Sequence, residues 1–125
     1  MHKNLISKIK NKTANIGVIG LGYVGLPLAL LLSKKGFKVC GFDVDSNKVE
    51  NLNKGKSYIK HINSSDIKNA KKLNFKATSN FENIINIDVI IICVPTPLGV
   101  HNEPDLKYIK STLNDIGPHL SNGKL

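Results

Sequence analysis

Six residues, Gly20-Leu21-Gly22-Tyr23-Val24-Gly25, carry the spacing G-x-G-x-x-G, and an acid, Asp43, follows eighteen residues after the last glycine. Between a strand and a helix, glycines at that spacing have distinct tasks. The first permits a tight turn, the second lets bare backbone approach a pyrophosphate, and the third lets the helix pack closely on the strand. The helix start then turns unpaired N–H groups towards an anion. A carboxylate at the end of the following strand stands where it can accept hydrogen bonds from an adenosine ribose. Asp43 would repel a 2′-phosphate and the chain has no arginine to receive one, so the expected cofactor is NAD rather than NADP. For Lys48, one helical turn further on, two placements are open: beside the ribose or adenine, or in solvent.

A second candidate is Cys93-Val94-Pro95-Thr96-Pro97-Leu98. Pro95 and Pro97 fix the backbone and remove two donors, leaving the Thr96 hydroxyl and N–H against whatever lies beyond the strand end. An ordinary rigid turn would use the same residues. Other chemistries fit poorly. His101-Asn102-Glu103 has the H-x-E of zinc deaminases, but both cysteines lie upstream of it. His61 has no second ligand at metal-site spacing, and Ser33 and Ser46 lack a nucleophile-elbow context. No catalytic residue and no metal ligand is assigned.

These residues need elements to hold them. Ile16 to Leu21 reads as a strand, Leu26 to Leu32 as a helix closed by Gly36, and Phe37 to Phe42 as a second strand. Asp45 or Ser46 caps a helix through Val49 and Leu52 to about Gly55, and Ser64-Ser65-Asp66 starts another to about Leu73. Phe75 to Thr78 is a third strand. Ser79 and Glu82 have capping-box spacing. Ile87 to Val94 is a fourth strand, apolar enough to be covered on both faces. Pro104-Asp105 opens a last helix through Leu106, Ile109, Leu113 and Ile116. The alternation predicts an α/β fold, a doubly wound, Rossmann-like parallel sheet over residues 15–125, preceded by a mobile, lysine-rich lead-in over 1–14.

Composition narrows the class. The formal charge of +9 rests entirely on lysine, and without arginine it argues against a specific nucleic-acid reader. The longest apolar run, Leu26 to Leu32, falls far short of the roughly 20 residues that cross a bilayer, and no membrane partner is expected. Cys40 and Cys93 read as small buried hydrophobes in a reducing, cytoplasmic setting.

The glycine turn running on to Leu26-Pro27-Leu28-Ala29, then Gly41-Phe42-Asp43-Val44-Asp45, Gly55-Lys56-Ser57-Tyr58-Ile59-Lys60-His61-Ile62, and the Cys93 to Leu98 loop with Glu103-Pro104-Asp105-Leu106 together resemble the N-terminal, NAD-binding domain of the UDP-glucose/GDP-mannose dehydrogenase family, and most of all its N-acetylhexosamine branch. The likeness runs from about Asn15 to the end. It implies a full-length homo-oligomeric enzyme that oxidises the C6 hydroxyl of a UDP-N-acetylhexosamine to the acid with two NAD, through a thiol-linked intermediate. It also implies that Gly20, Gly22, Tyr23, Val24, Gly25, Asp43, Lys48, Pro95 and Thr96 occupy cofactor positions. Lysine replaces the arginine that relatives often carry at positions 48 and 60. The family's nucleophilic cysteine falls beyond residue 125, so the chain is expected to be truncated before a fifth strand, to hold NAD without turning over a sugar, and to self-associate through an open edge. A stand-alone, non-catalytic NAD or nucleotide sensor is the alternative.

Overall fold

The computed structural model describes residues 2–125. Four parallel strands, β1 (Asn15–Ile19), β2 (Lys38–Phe42), β3 (Lys76–Thr78) and β4 (Val89–Ile92), form one sheet in the order β3-β2-β1-β4. Side chains alternate faces along each strand, and the two faces bury two separate clusters. Ile16, Val18, Val39 and Ala77 pack beneath α2 (Gly25–Lys34), α3 (Ser46–Asn53) and α4 (Ser64–Lys72), through Leu26, Ala29, Val49, Leu52, Ile67 and Ala70. Ile19, Cys40 and Phe42 pack on the other face against Ile84 of a 3-10 turn (Phe81–Asn86), Ile87, and Ile116 of α5 (Lys107–Ile116). Helical structure on both faces makes the sheet doubly wound, as the alternation of elements predicts.

Local chemistry sets most boundaries. The Asp45 carboxylate accepts from the N–H groups of Asn47 (2.9 Å) and Lys48 (3.4 Å) and so caps α3. Gly36, at φ 104°, gives the left-handed turn that stops the chain after α2. Three expectations are corrected. The lead-in is not loose but forms α1 (His2–Lys10), with Leu5 and Ile9 half-buried one turn apart and Lys8 paired to Asp88 at 3.3 Å. Asn80, not Ser79, caps the turn at Phe81, its side chain accepting from the Glu82 N–H at 3.0 Å, and the turn is 3-10 rather than α-helical. The last helix starts at Lys107, because Pro104 is held in an antiparallel bridge to Leu98 and Asp105 caps from outside, accepting the Lys107 N–H at 2.9 Å.

The two sheet edges differ. At β3 the Asn53 side chain pairs with one residue as a strand would, donating to the Ala77 carbonyl (2.9 Å) and accepting from the Ala77 N–H (3.2 Å). β4 is shorter than the sequence predicts; its side chains pack on both faces as expected, Val89 and Ile91 against one cluster and Ile90 against the other, but they are only half-buried. Leu125 reaches its outer edge, donating to the Asp88 carbonyl (2.9 Å) and accepting from the Ile90 N–H (2.7 Å).

Asn53→Ala should remove two part-buried hydrogen bonds and cost about 1–2 kcal/mol. Ser33 is buried in α2 with a hydroxyl that finds no partner among the described residues, so Ser33→Ala should be neutral or slightly stabilising. Urea melts that rank the two variants the other way would contradict this edge and core assignment.

Candidate functional site

In the sheet order, β1 is flanked by β2 and β4: the chain runs outward from β1 through β2 to β3, then crosses back to lay β4 on the other side of β1. Ligands of open α/β sheets bind beyond the carboxyl ends at such a switch point. There the structure has a crevice of about 660 Å³, within the range of small-molecule sites. A smaller hollow of about 260 Å³ lies around the opposite strand ends, among Asn15, Lys38 and Lys76.

The crevice floor is the glycine turn. Gly20, at φ 94°, passes so close to β4 that a Cβ there would lie 2.7 Å from the Cys93 carbonyl oxygen. At Gly25 a Cβ would lie 1.7 Å from the Gly20 oxygen, so only glycine lets α2 begin where it does. Gly22 is different. A Cβ there would meet no protein atom within 4 Å, leaving its backbone bare on the crevice. No side chain caps α2, and among the described residues the N–H groups of Gly22, Tyr23 and Val24 donate to no protein acceptor. This is a cradle of free donors at a helix start, suited to a diphosphate.

Asp43 stands at the end of β2, buried, and both its oxygens are engaged. Oδ2 accepts from the Leu21 N–H and Oδ1 from the Asp45 N–H, each at 2.9 Å. Each oxygen keeps a lone pair for a further donor. Asp43 therefore shapes the turn as well as facing the crevice. Lys48 lines the crevice too, half-buried, its Nζ 5.7 Å from the ring centre of Tyr58.

Of the residues singled out in the sequence, Gly20, Gly22, Tyr23, Val24, Asp43, Lys48, Pro95 and Thr96 all line this one crevice, and Gly25 lies beneath it. Cys93 also faces the crevice and is half-buried, which corrects its reading as a core residue; Cys40 is buried as expected. Burial raises both thiols, Cys40 to about 11 with Lys76 partly opposing, so both are held protonated near neutrality. Sequence reasoning missed the far wall, made by Val44, Phe81 and the α5 residues Tyr108, Ser111, Thr112 and Asp115. The signal was present. Residues 108, 111, 112 and 115 recur at i, i+3, i+4 and i+7 and so share one helix face. Among the described residues no cluster of three His, Cys, Asp or Glu could hold a metal ion, and no helix is long and apolar enough to cross a membrane.

A doubly wound sheet with a bare glycine turn, free helix-start donors and an acid closing β2 defines a dinucleotide-binding domain. Residues 14–125 match the family model described as the UDP-glucose/GDP-mannose dehydrogenase family, NAD binding domain, and the chain belongs to that family. It is 39% identical over 103 residues to Protein CapL of Staphylococcus aureus, covering 82% of this chain and 23% of that protein. It is 35% identical over 114 residues to UDP-N-acetyl-D-glucosamine 6-dehydrogenase of Pseudomonas aeruginosa, covering 91% and 26%. The solved UDP-D-ManNAc dehydrogenase of Pyrococcus horikoshii superimposes with a TM-score of 0.80 at 33% identity, over 89% of this chain and 27% of that one. The chain thus spans about a quarter of the relatives it matches. Its cofactor is NAD.

Gly22→Ala should melt like the wild type and lose NAD affinity by tenfold or more, whereas Gly25→Ala should not fold. Circular dichroism melts with calorimetric NAD titration check both. Normal NAD binding by Gly22→Ala would show that the diphosphate lies elsewhere.

Proposed function

We propose that this chain is the NAD-holding part of an enzyme that oxidises the C6 hydroxyl of a UDP-N-acetylhexosamine to the uronic acid, reducing two NAD. The observation that carries the reading is the meeting of the glycine turn, Asp43, Lys48 and the Pro95-Thr96 wall in one crevice at the β1/β4 switch point. Bound NAD supplies the hydride acceptor. The N–H groups of Gly22, Tyr23 and Val24 hold its diphosphate, and Asp43 accepts from the adenosine ribose with the lone pairs that Leu21 and Asp45 leave free. Pro95 and Thr96 wall the crevice beyond β4, on the side where a substrate must approach. The N-acetylhexosamine assignment is supported by the names of the Pseudomonas and Pyrococcus relatives. The complete protein is proposed to act as a homo-oligomer in the cytoplasm, a compartment that suits two unpaired thiols.

Titration calorimetry should give tighter binding of NAD than of NADP, because Asp43 lies where a 2′-phosphate would go. Asp43→Ala should weaken NAD by roughly 10- to 100-fold, the loss of a charge-assisted hydrogen bond of about 1.5–3 kcal/mol, and should lower stability as well by orphaning two N–H groups. Equal affinities for NAD and NADP in the wild type would remove Asp43 from the ribose.

The 125-residue chain by itself should give no substrate-dependent NADH absorbance with UDP-N-acetylglucosamine, UDP-N-acetylmannosamine or UDP-glucose. The route to an acid needs a thiolate to trap the aldehyde, and burial keeps Cys40 and Cys93 as thiols. NADH production by the pure chain would place a nucleophile and a sugar site within these residues.

A further inference from the structure

Tyr58 lies on the connection between α3 and α4 and does not line the crevice, yet it is bound to the crevice floor: its hydroxyl donates to the carbonyl of Leu21. Leu21 is held on every side. Its N–H goes to Asp43 Oδ2 at 2.9 Å, and its fully buried side chain lies against the bare backbone of Gly41, where a Cβ would come within 2.8 Å of it.

The Leu21 carbonyl and the Gly22 N–H belong to the same peptide unit. That unit is planar and trans, so the two bonds point in opposite directions. Whatever fixes the carbonyl therefore aims the N–H. Gly22 has no Cβ to restrict rotation of this unit, and its N–H, which has no protein acceptor among the described residues, is turned away from Tyr58. We infer that Tyr58 is a positioning residue for the cofactor: by anchoring the Leu21 carbonyl it aims the Gly22 N–H at the diphosphate.

The surroundings keep Tyr58 in this role. Its connection is pinned at Ser57, whose N–H donates to Ser64 Oγ (3.0 Å) and whose Oγ bonds both to the Ile59 carbonyl (3.0 Å) and from the Ile59 N–H (3.1 Å). Burial, with Asp43 and Asp45 adding to it, raises the phenol well above its ordinary range, so the hydroxyl stays a donor at every working pH. Lys48 Nζ stands over the ring.

This inference rests on the NAD reading of the crevice. Tyr58→Phe in the 125-residue chain keeps the ring and the Lys48 contact and removes only the anchor. NAD affinity should fall about 3- to 10-fold, while adenosine, which has no diphosphate, should bind as it does to the wild type, both followed by NMR titration below the melting transition. A purely structural hydroxyl would weaken both ligands alike. Wild-type NAD affinity in a folded Tyr58→Phe, or equal losses for NAD and adenosine, overturns the inference. If Tyr58→Phe does not fold, Ser57→Ala, which loosens the connection without touching the ring, decides by the same comparison with a smaller expected loss. A wild-type chain that binds no NAD overturns the reading of the crevice itself, and the role of Tyr58 with it.

Discussion

Gly20 and Gly25 lie so close together that the backbone oxygen of one occupies the space a side chain of the other would need. Everything at the carboxyl end of the sheet follows from it. Because nothing stands between them, α2 starts directly against the end of β1, and its unpaired first-turn donors come to rest over the sheet rather than in open solvent. Because Gly20 also runs against the carbonyl of Cys93, the same contact sets how near β4 comes to the turn. Substitution at either glycine would push apart the three elements that enclose the crevice.

Around that contact the protein uses a few polar groups twice. Asp43 ties Leu21 to the end of β2 and also ties Asp45, whose own carboxylate caps α3. Lys48, on that capped turn, reaches back over Tyr58, and Tyr58 returns to Leu21. The path from turn to acid to helix to connection and back to the turn is closed. A closed path of contacts resists rotation of any one member, which is how a site made mostly of backbone N–H groups can be preorganised without buried charges of opposite sign. The closed ring also explains why the acid that faces the ribose side cannot be treated as a ligand group alone: its removal would release two backbone donors in a buried place.

The edges of the sheet are handled unequally. Asn53 closes β3 by imitating a strand with one amide, a compact way to block pairing by another chain. β4 has no such device. Among the described residues its outer side is bonded by Leu125, in the pattern of a parallel bridge, and Lys124 donates to the Ile85 and Ile87 carbonyls beside it. The apolar run of β4, which reads in sequence as a strand covered on both faces, is the composition of an interior strand placed at an edge.

The sequence by itself determined what depends on neighbours a few residues apart. Strand and helix alternation, the glycine turn with its helix, Asp43 at a strand end and the proline-fenced Thr96 are all short-range patterns, and each is found where its pattern puts it. Even there the choice between adjacent caps escaped it, since Ser79 and Asn80 are equally able acceptors and only the path of the chain into the Phe81 turn selects Asn80. Tertiary structure alone decided which distant residues face the same space. That Cys93 lines a crevice while Cys40 is buried, that the 108, 111, 112 and 115 face of α5 forms its far wall, and that Tyr58 reaches the carbonyl of Leu21, thirty-seven positions away, depend on strand order and crossover path. Those are set by burying two apolar clusters on opposite faces of one sheet, a condition on the whole chain that no local window contains.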